Sequence, residues 1–395
     1  MTLLKKSAFI LPDKMVYLDG NSLGPLPRTV AQRVSSMITD EWGQHLIKGW
    51  NMDDWMGQPQ RVGNKVGKLI GAPDGSVTLG DTLSVKVFQA LSAALEMRSD
   101  RRVILSDTGN FPSDLYMAQG LIKHLGGHHE LRLVEPDAVA SSLNDEVAVV
   151  MLTHVDYRTG RMHDFKTLTD AAHDVGAVML WDLAHSAGAV PINVEKSRCE
   201  FAVGCTYKYL NGGPGAPAFI CVRPDLIEQV SPALSGWLGH DAPFAFEQAY
   251  RPAPDIERMR IGTPPVLQLA ALEAALTVWD GVDMSEVRVA SVTLSELFIS
   301  EVVRRCPELK LASPQDPARR GSHVSFSFEH GYAVVQALID RDVIGDFRAP
   351  DLMRFGFTPL YIDESDVLRA VDVLCDVLDN RLWDQPQFQN KGRVT

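Results

Sequence analysis

The chain has 395 residues, 45% of them apolar and 22% charged, and a formal net charge of −12. The length exceeds one hydrophobic core and predicts two packed lobes, while the acidic balance argues against sequence-independent binding to nucleic acid or anionic membrane. No apolar run reaches the roughly 18 residues of a bilayer span, and the N-terminal MTLLKKSAFILPDKM has no long apolar core or small-residue cleavage site, so the cytoplasm is the expected location. The five cysteines (Cys199, Cys205, Cys221, Cys306, Cys375) are odd in number and form no C-x-x-C pair or Cys/His cluster, which predicts buried reduced thiols and no metal site.

In chain order, residues 1–41 are expected to cross to a smaller lobe, 42–280 to form a large lobe and 281–395 to form the small one. Gly80-Asp-Thr-Leu-Ser84 runs into a helix with Val85, Phe88, Leu91 and Leu95 on one face. A short strand, Val103–Leu105, precedes Asn110-Phe-Pro-Ser-Asp114. The histidines at 124, 128 and 129 resemble a metal tract but lie in a glycine-containing stretch without further ligands, which predicts a surface loop. Val147–Leu152, Ala177–Trp181 and Ala218–Val222 read as buried strands, with a helix over Phe165–Val175. Continuous apolar strands between helices predict an α/β fold with a mostly parallel sheet covered on both faces. Beyond Pro264-Pro265 the pattern predicts helices over Val266–Trp279, Glu286–Arg305 and Asp366–Leu378 and a strand over Val324–Phe328, an α+β lobe. Cys306 and Cys375 fall with those helices.

Five features carry candidate chemistry. Lys208 stands between two tyrosines before a glycine-rich loop, in Cys205-Thr-Tyr-Lys-Tyr-Leu-Asn-Gly-Gly-Pro-Gly215; a desolvated lysine is a usable amine nucleophile, although a lone loop lysine is usually just solvated. Asp182 ends a buried strand, where ligands bind in open α/β sheets, and a carboxylate there can keep a pyridine nitrogen protonated. His185 follows three residues later; capping by Asp182 and a satisfied core histidine are the plain alternatives. The small hydroxyl residues at the start of the helix near Ser84 suit an anion, and equally a simple N-cap by Asp81 or Thr82. Phe111 offers a face for stacking on a heteroaromatic ring, with Asp114 nearby. Arg354, in Met353-Arg-Phe-Gly-Phe-Thr-Pro-Leu-Tyr361, offers a planar fork for an α-carboxylate. No H-E-x-x-H, P-loop or complete G-x-G-x-x-G occurs.

Tyr17-Leu-Asp-Gly-Asn-Ser-Leu-Gly24, Phe-Pro-Ser-Asp at 111–114, Asp182-Leu-Ala-His185, Tyr-Lys-Tyr-Leu-Asn at 207–211, Gly236-Trp-Leu-Gly-His240 and Arg260-Ile-Gly-Thr-Pro-Pro265 occur in an order that resembles kynureninase over nearly the whole chain. The resemblance implies the pyridoxal phosphate (PLP) fold type I, with the cofactor as a Schiff base on Lys208. It implies that Leu83, Ser84 and Tyr207 bind the phosphate, that Phe111 stacks on the ring, and that Asp114, Thr153, Asp182 and His185 surround its edge. Trp237 and Thr263 would reach the phosphate region of a neighbouring subunit, which implies a homodimer. Arg354 would hold the substrate carboxylate and Trp50 would line an aryl pocket. Lys208, Tyr207 and Asp182 would be catalytic in the hydrolysis of L-kynurenine to anthranilate and L-alanine, within tryptophan degradation. Threonine rather than asparagine at 263 implies a preference for L-kynurenine over 3-hydroxykynurenine. The alternatives are another class V PLP enzyme, such as a cysteine desulfurase or selenocysteine lyase, and a catalytically silent PLP-fold binding protein.

Overall fold

The computed structural model describes residues 3–390 and 392. The apolar runs of the middle of the chain form one seven-stranded sheet: β1 (Val77–Leu79), β2 (Val103–Asp107), β3 (Glu130–Val134), β4 (Val147–Thr153), β5 (Val178–Asp182), β6 (Phe201–Gly204) and β7 (Phe219–Val222). Its order is β1-β7-β6-β5-β4-β2-β3. The pairs β2–β3, β2–β4, β4–β5 and β5–β6 are parallel, whereas β7 is antiparallel to both neighbours. Every residue of β2, β4, β5, β6 and β7 is buried, as a sheet covered on both faces requires. From β2 the chain steps outward to β3, then returns to β4 and proceeds the other way. The crevice at the carboxyl ends of β2 and β4 is therefore a topological switch point, where such sheets bind ligands.

A second sheet has the order β8-β9-β11-β10, from β8 (Lys310–Leu311), β9 (His323–Ser327), β10 (Asp346–Arg348) and β11 (Leu352–Gly356). It is antiparallel throughout. Helices Met284–Arg305, Gly331–Ile339 and Glu364–Asp379 accompany it. The last begins with a reciprocal cap: Asp363 accepts from Asp366 N at 3.0 Å, and Asp366 accepts from Asp363 N at 3.1 Å. The N-terminal segment is stitched to this part of the molecule, with Val16–Tyr17 parallel to Val343–Ile344, and Gly356 N donates to Leu18 O at 2.6 Å.

Several expected boundaries shift. The helix from Val266 is α-helical only to Ala275; Leu276–Trp279 tightens into a 3-10 turn before Gly281, whose φ is +70°. His124 is not in a loop but ends the helix Pro112–His124, a position where a basic side chain suits the helix dipole; His128 and His129 do lie beyond the helix. Cys306 stands just past Arg305, at the C-cap, where the chain leaves helical geometry at φ −125°, ψ 67°. All five cysteines are free and buried. Among the described residues no group of histidine, cysteine or carboxylate side chains is arranged to hold a metal ion, and no helix is long and apolar enough to cross a membrane.

Candidate active site

The site is built on the carboxyl ends of β2, β4, β5 and β6. After β6 the chain turns through Lys208, and Asn211 closes the turn by donating its N–H to Lys208 O at 2.9 Å while adopting φ +61°, a conformation asparagine tolerates. The N-terminal loop presses on this turn. Gly24 N donates to Tyr207 O at 2.8 Å, Asn211 Nδ2 donates to Pro25 O at 3.2 Å, and a Cβ on Gly24 would overlap the Lys208 carbonyl oxygen. The Leu-Gly-Pro run of the N-terminal motif is thus a backbone buttress for the lysine.

Lys208 Nζ lies 2.7 Å from His185 Nε2. His185 is buried, and its Nδ1 has no hydrogen-bond partner. Burial, Lys208 and His323 together push its pKa well below the ordinary histidine range, so the ring is neutral. Asp182, the last residue of β5, accepts from Ala184 N at 2.8 Å and stands 3.4 Å from Thr153 Oγ1. Asp182 therefore does cap its own turn, but through Oδ1 alone. Thr153 Oγ1 donates to Asn110 Oδ1 at 2.5 Å, and Asn110 Oδ1 also accepts from Phe111 N at 2.7 Å. This ties the end of β4 to the turn that carries Phe111. Asp114 sits in the first turn of the helix Pro112–His124, fully buried, with Oδ2 unpartnered. Burial and the neighbouring Asp182 push its pKa well up, which favours the protonated acid beside Asp182, itself raised by burial.

Beside these groups is a cavity of about 520 Å³ whose lining includes Thr82, Ser84, Phe111, Ser113, Asp114 and Tyr207. Thr82 caps the helix Leu83–Met97 by accepting from Val85 N, so the cap and the anion-binding geometry of the helix start coexist. Ser84 Oγ and Ser113 Oγ are 2.9 Å apart, which brings two helix starts and their hydroxyls together. Phe111 is 40% exposed, lines the cavity, and stands nearly perpendicular to Tyr157 with ring centres 5.0 Å apart.

Arg354 reaches the site from the second sheet. In register it lies opposite Asp346 on β10 and Ser325 on β9, and directly opposed side chains share a face. Nε donates to Asp346 Oδ1 at 2.7 Å, Nη2 to Asp346 Oδ2 and, at 3.1 Å, to Ser22 Oγ, and Nη1 to Tyr157 O. The expected open fork is thus already held on one carboxylate. Sequence reading missed Asp346, Ser22, Tyr157 and Asn110. The Asp346/Arg354 spacing of eight residues across a hairpin was a usable signal for the ion pair; nothing local marks the others.

Three expected site residues stand apart in the single chain. Trp50 packs edge-on against Trp55, with ring centres 5.6 Å apart, in a small cluster with Met37 and Ala270. Trp237 is 44% exposed, with Nε1 donating to Pro243 O at 2.5 Å, and packs among the exposed Phe244 and Phe246. Thr263 is exposed. Both belong to one surface, because Leu238 N donates to Ile261 O at 3.2 Å and Gly236 lies directly on the Ile261 backbone.

The residues fit pyridoxal phosphate. The cavity joins a helix-start hydroxyl cradle to Asp114, with its orphaned oxygen, and Lys208 directly follows the lining residue Tyr207. A protonated ring nitrogen would supply the positive charge that Asp182 meets only as the field of Lys208.

A profile of the Kynureninase C-terminal domain matches residues 287–374. The chain is 48% identical to the Kynureninase of Pseudomonas fluorescens, over 99% of this chain and 95% of that protein. It is 47% identical to the Kynureninase of Burkholderia pseudomallei (strain 1106a), with the same coverage. Among solved structures, an apo cysteine desulfurase from Thermococcus onnurineus NA1 superposes with a TM-score of 0.79 at 19% identity, covering 95% of this chain and 98% of that one. A lysine-to-alanine mutant of C-DES, with glycine covalently linked to its PLP cofactor, gives 0.81 at 17%, covering 94% and 99%. The fold is PLP fold type I.

Proposed function

This chain belongs to the kynureninase family, and from that premise we propose that it is a PLP enzyme that splits the Cβ–Cγ bond of L-kynurenine with water, giving anthranilate and L-alanine, in tryptophan degradation. The observation that supports the reading is that Lys208 meets His185 and acts electrostatically on Asp182, while Arg354, from the second sheet, acts on the same His185.

The cofactor, once bound, supplies an electron sink conjugated with the substrate Cα. Lys208 is its covalent anchor. Its amine, when free, would be the base for the Cα proton. Asp182 would meet the ring nitrogen, with Asp114 beside it. His185 and Thr153 would hold the ring's edge, and Phe111 would stack on the ring. Backbone N–H groups at Leu83 and Ser84, the Ser84 hydroxyl and the Tyr207 phenol would hold the phosphate, and Tyr207 would also be a proton donor there. Arg354 receives the substrate carboxylate through Nη1 and Nη2, in place of the Tyr157 O and Ser22 Oγ contacts that those nitrogens make in the single chain. In the net reaction the water oxygen bonds to the aryl carbonyl carbon and a proton returns to Cβ.

Trp237 and Thr263, exposed on one chain, complete the site of a second copy, so the working unit is a homodimer. Trp50 lines the aryl pocket, and the short Thr263 favours L-kynurenine over its 3-hydroxy form. The division near residues 42 and 281, and a cytoplasmic location, belong to the same reading. The test is a mixture of purified protein, PLP and L-kynurenine: anthranilate and alanine form in equal amounts. Lys208→Ala removes both the turnover and the visible absorbance of the lysine-bound cofactor, and retention of either rejects the assignment. A higher kcat/KM for 3-hydroxykynurenine rejects the substrate preference alone. Sulfide release from cysteine would instead favour a desulfurase, a role for which Cys306 and Cys375 are poorly placed, buried with Sγ atoms 3.0 Å apart.

A further inference from the structure

His323 opens β9. It pairs with Gly356 and shares its sheet face with Ser325 and Arg354. It has no exposed surface, yet neither Nδ1 nor Nε2 has a hydrogen-bond partner. A neutral imidazole carries one N–H and one lone pair, and buried groups of this kind are almost always paired. The ring packs 5.5 Å from that of His185, tilted by 60°. Gly160, at φ +72°, makes room for it; a Cβ there would sit 3.3 Å from Nε2. The charged groups acting on it are Arg354, Arg348 and Lys208 on one side of the balance and Asp346 on the other.

His185 has the complementary need. Its Nε2 lies 2.7 Å from Lys208 Nζ, and an amine N–H donating there requires Nε2 to be the lone-pair nitrogen. The proton of the neutral ring is then on Nδ1, the nitrogen without a partner. Which nitrogen of a histidine is protonated is set by the hydrogen bond that the other makes.

We propose that His323 is a positioning residue for His185: it accepts the Nδ1–H of His185 through one bridging water, and so fixes Nε2 as the acceptor that faces Lys208. The inference deepens the PLP reading above, and rests on it only in taking Lys208 as the cofactor anchor. The small sheet thereby sets the hydrogen-bond polarity on the large lobe's lysine, from the same face that delivers Arg354.

The experiment uses the cofactor-free protein, labelled with 15N-histidine, with His185 assigned by His185→Gln. Wild type is expected to show the proton on Nδ1 of His185. His323→Phe is expected to lose that preference, and His323→Gln, which keeps a donor and an acceptor, to retain it. On adding PLP, His323→Phe shifts the pH midpoint of the visible absorbance band and weakens cofactor binding roughly tenfold, the scale on which orienting partners of a ligating histidine act; His323→Gln restores both. A wild-type spectrum with the proton on Nε2 overturns the inference, whatever the folding of the variants. So does a His323→Phe protein whose tautomer and band match wild type. Neither result depends on kynurenine turnover, so failure of the assigned reaction would be seen separately.

Discussion

Asp346 grips Arg354 along one edge of the guanidinium, through Nε and Nη2, while Ser22 Oγ and Tyr157 O accept from the rest of the fork. Both side chains are fully buried. Burial raises a carboxyl group, but the arginine overrides it and keeps Asp346 below the usual carboxylate range. Asp346→Asn should raise KM for kynurenine with a smaller effect on kcat, because the misaimed arginine binds the carboxylate before and after the chemistry alike. Breaking a buried pair from one side also costs about 3–5 kcal/mol, so the thermal midpoint should drop. Steady-state kinetics and a melting curve check both; an unchanged KM in a folded variant would remove Arg354 from carboxylate binding.

Gly24→Ala should damage the lysine turn without touching a polar group. The added methyl meets the Lys208 carbonyl oxygen and the Asn211 backbone, neither of which is a flexible side-chain end. Overpacking of this kind costs on the order of 1–3 kcal/mol. The expected result is a folded protein with a lower ratio of visible to ultraviolet absorbance after PLP loading.

Asp114 separates two roles for one carboxyl group. Because the protonated acid is favoured there beside Asp182, Asp114→Asn keeps a donor of the same shape and should retain cofactor affinity and most turnover. Asp114→Leu leaves Asp182 without that donor, and activity should fall by roughly tenfold or more, as for loss of a hydrogen bond to a charged group. PLP titration of both variants, followed by anthranilate fluorescence, distinguishes them; equal losses would mean that Asp114 acts as a carboxylate.

Acid should unfold the protein through its buried histidines. His154 and His323 are both pushed by burial from 6.5 down to about 3. Between those values the unfolded chain binds protons that the folded one refuses, so stability rises with pH there. The contribution is fully present above about pH 6.5 and is lost as pH falls toward 3. Urea midpoints measured from pH 8 to 4 should decline below about pH 6.5, and His154→Phe should flatten that decline. His154 is the better choice because it packs on Trp181 and Phe165, whereas His323 packs on His185.

Subunit complementation tests the shared site. Lys208→Ala and Trp237→Ala should each be inactive alone. In mixed dimers one site receives Lys208 from one chain and Trp237 from the other. After mixing and re-equilibration, about a quarter of wild-type activity should return, as random pairing of two equal populations requires. No recovery would place Trp237 in its own chain's site.

Much of this site was legible because its residues sit at strand ends and helix starts, places that periodicity marks. Asp182 follows a run of apolar residues, and Ser84 precedes a helical stripe; both stand where the pattern changes. Arg354 was legible by composition, as a cation among aromatics, but its held state was not, because Asp346 meets it only through strand register. His323 was invisible for a related reason. Its neighbour His185 lies far away in sequence, on the other sheet's loops, and a histidine opening a short strand has no local signature. Trp50, Trp237 and Thr263 come from resemblance alone; in the single chain Trp50 packs on Trp55, Trp237 on Phe244, and Thr263 is exposed.

The pairing of Val16–Tyr17 with Val343–Ile344 sets an order of events during synthesis. The earlier of these two segments cannot take its place until the later one has been made. Gly24 and Pro25, which brace the Lys208 turn, ride on that early segment. Contacts so distant in sequence form late, after the closure entropy between them has been met. A nascent chain can therefore complete its large sheet while its lysine turn is still unbraced, and chains released before residue 344 should be unable to retain cofactor even with every cofactor-binding residue of the large sheet already made.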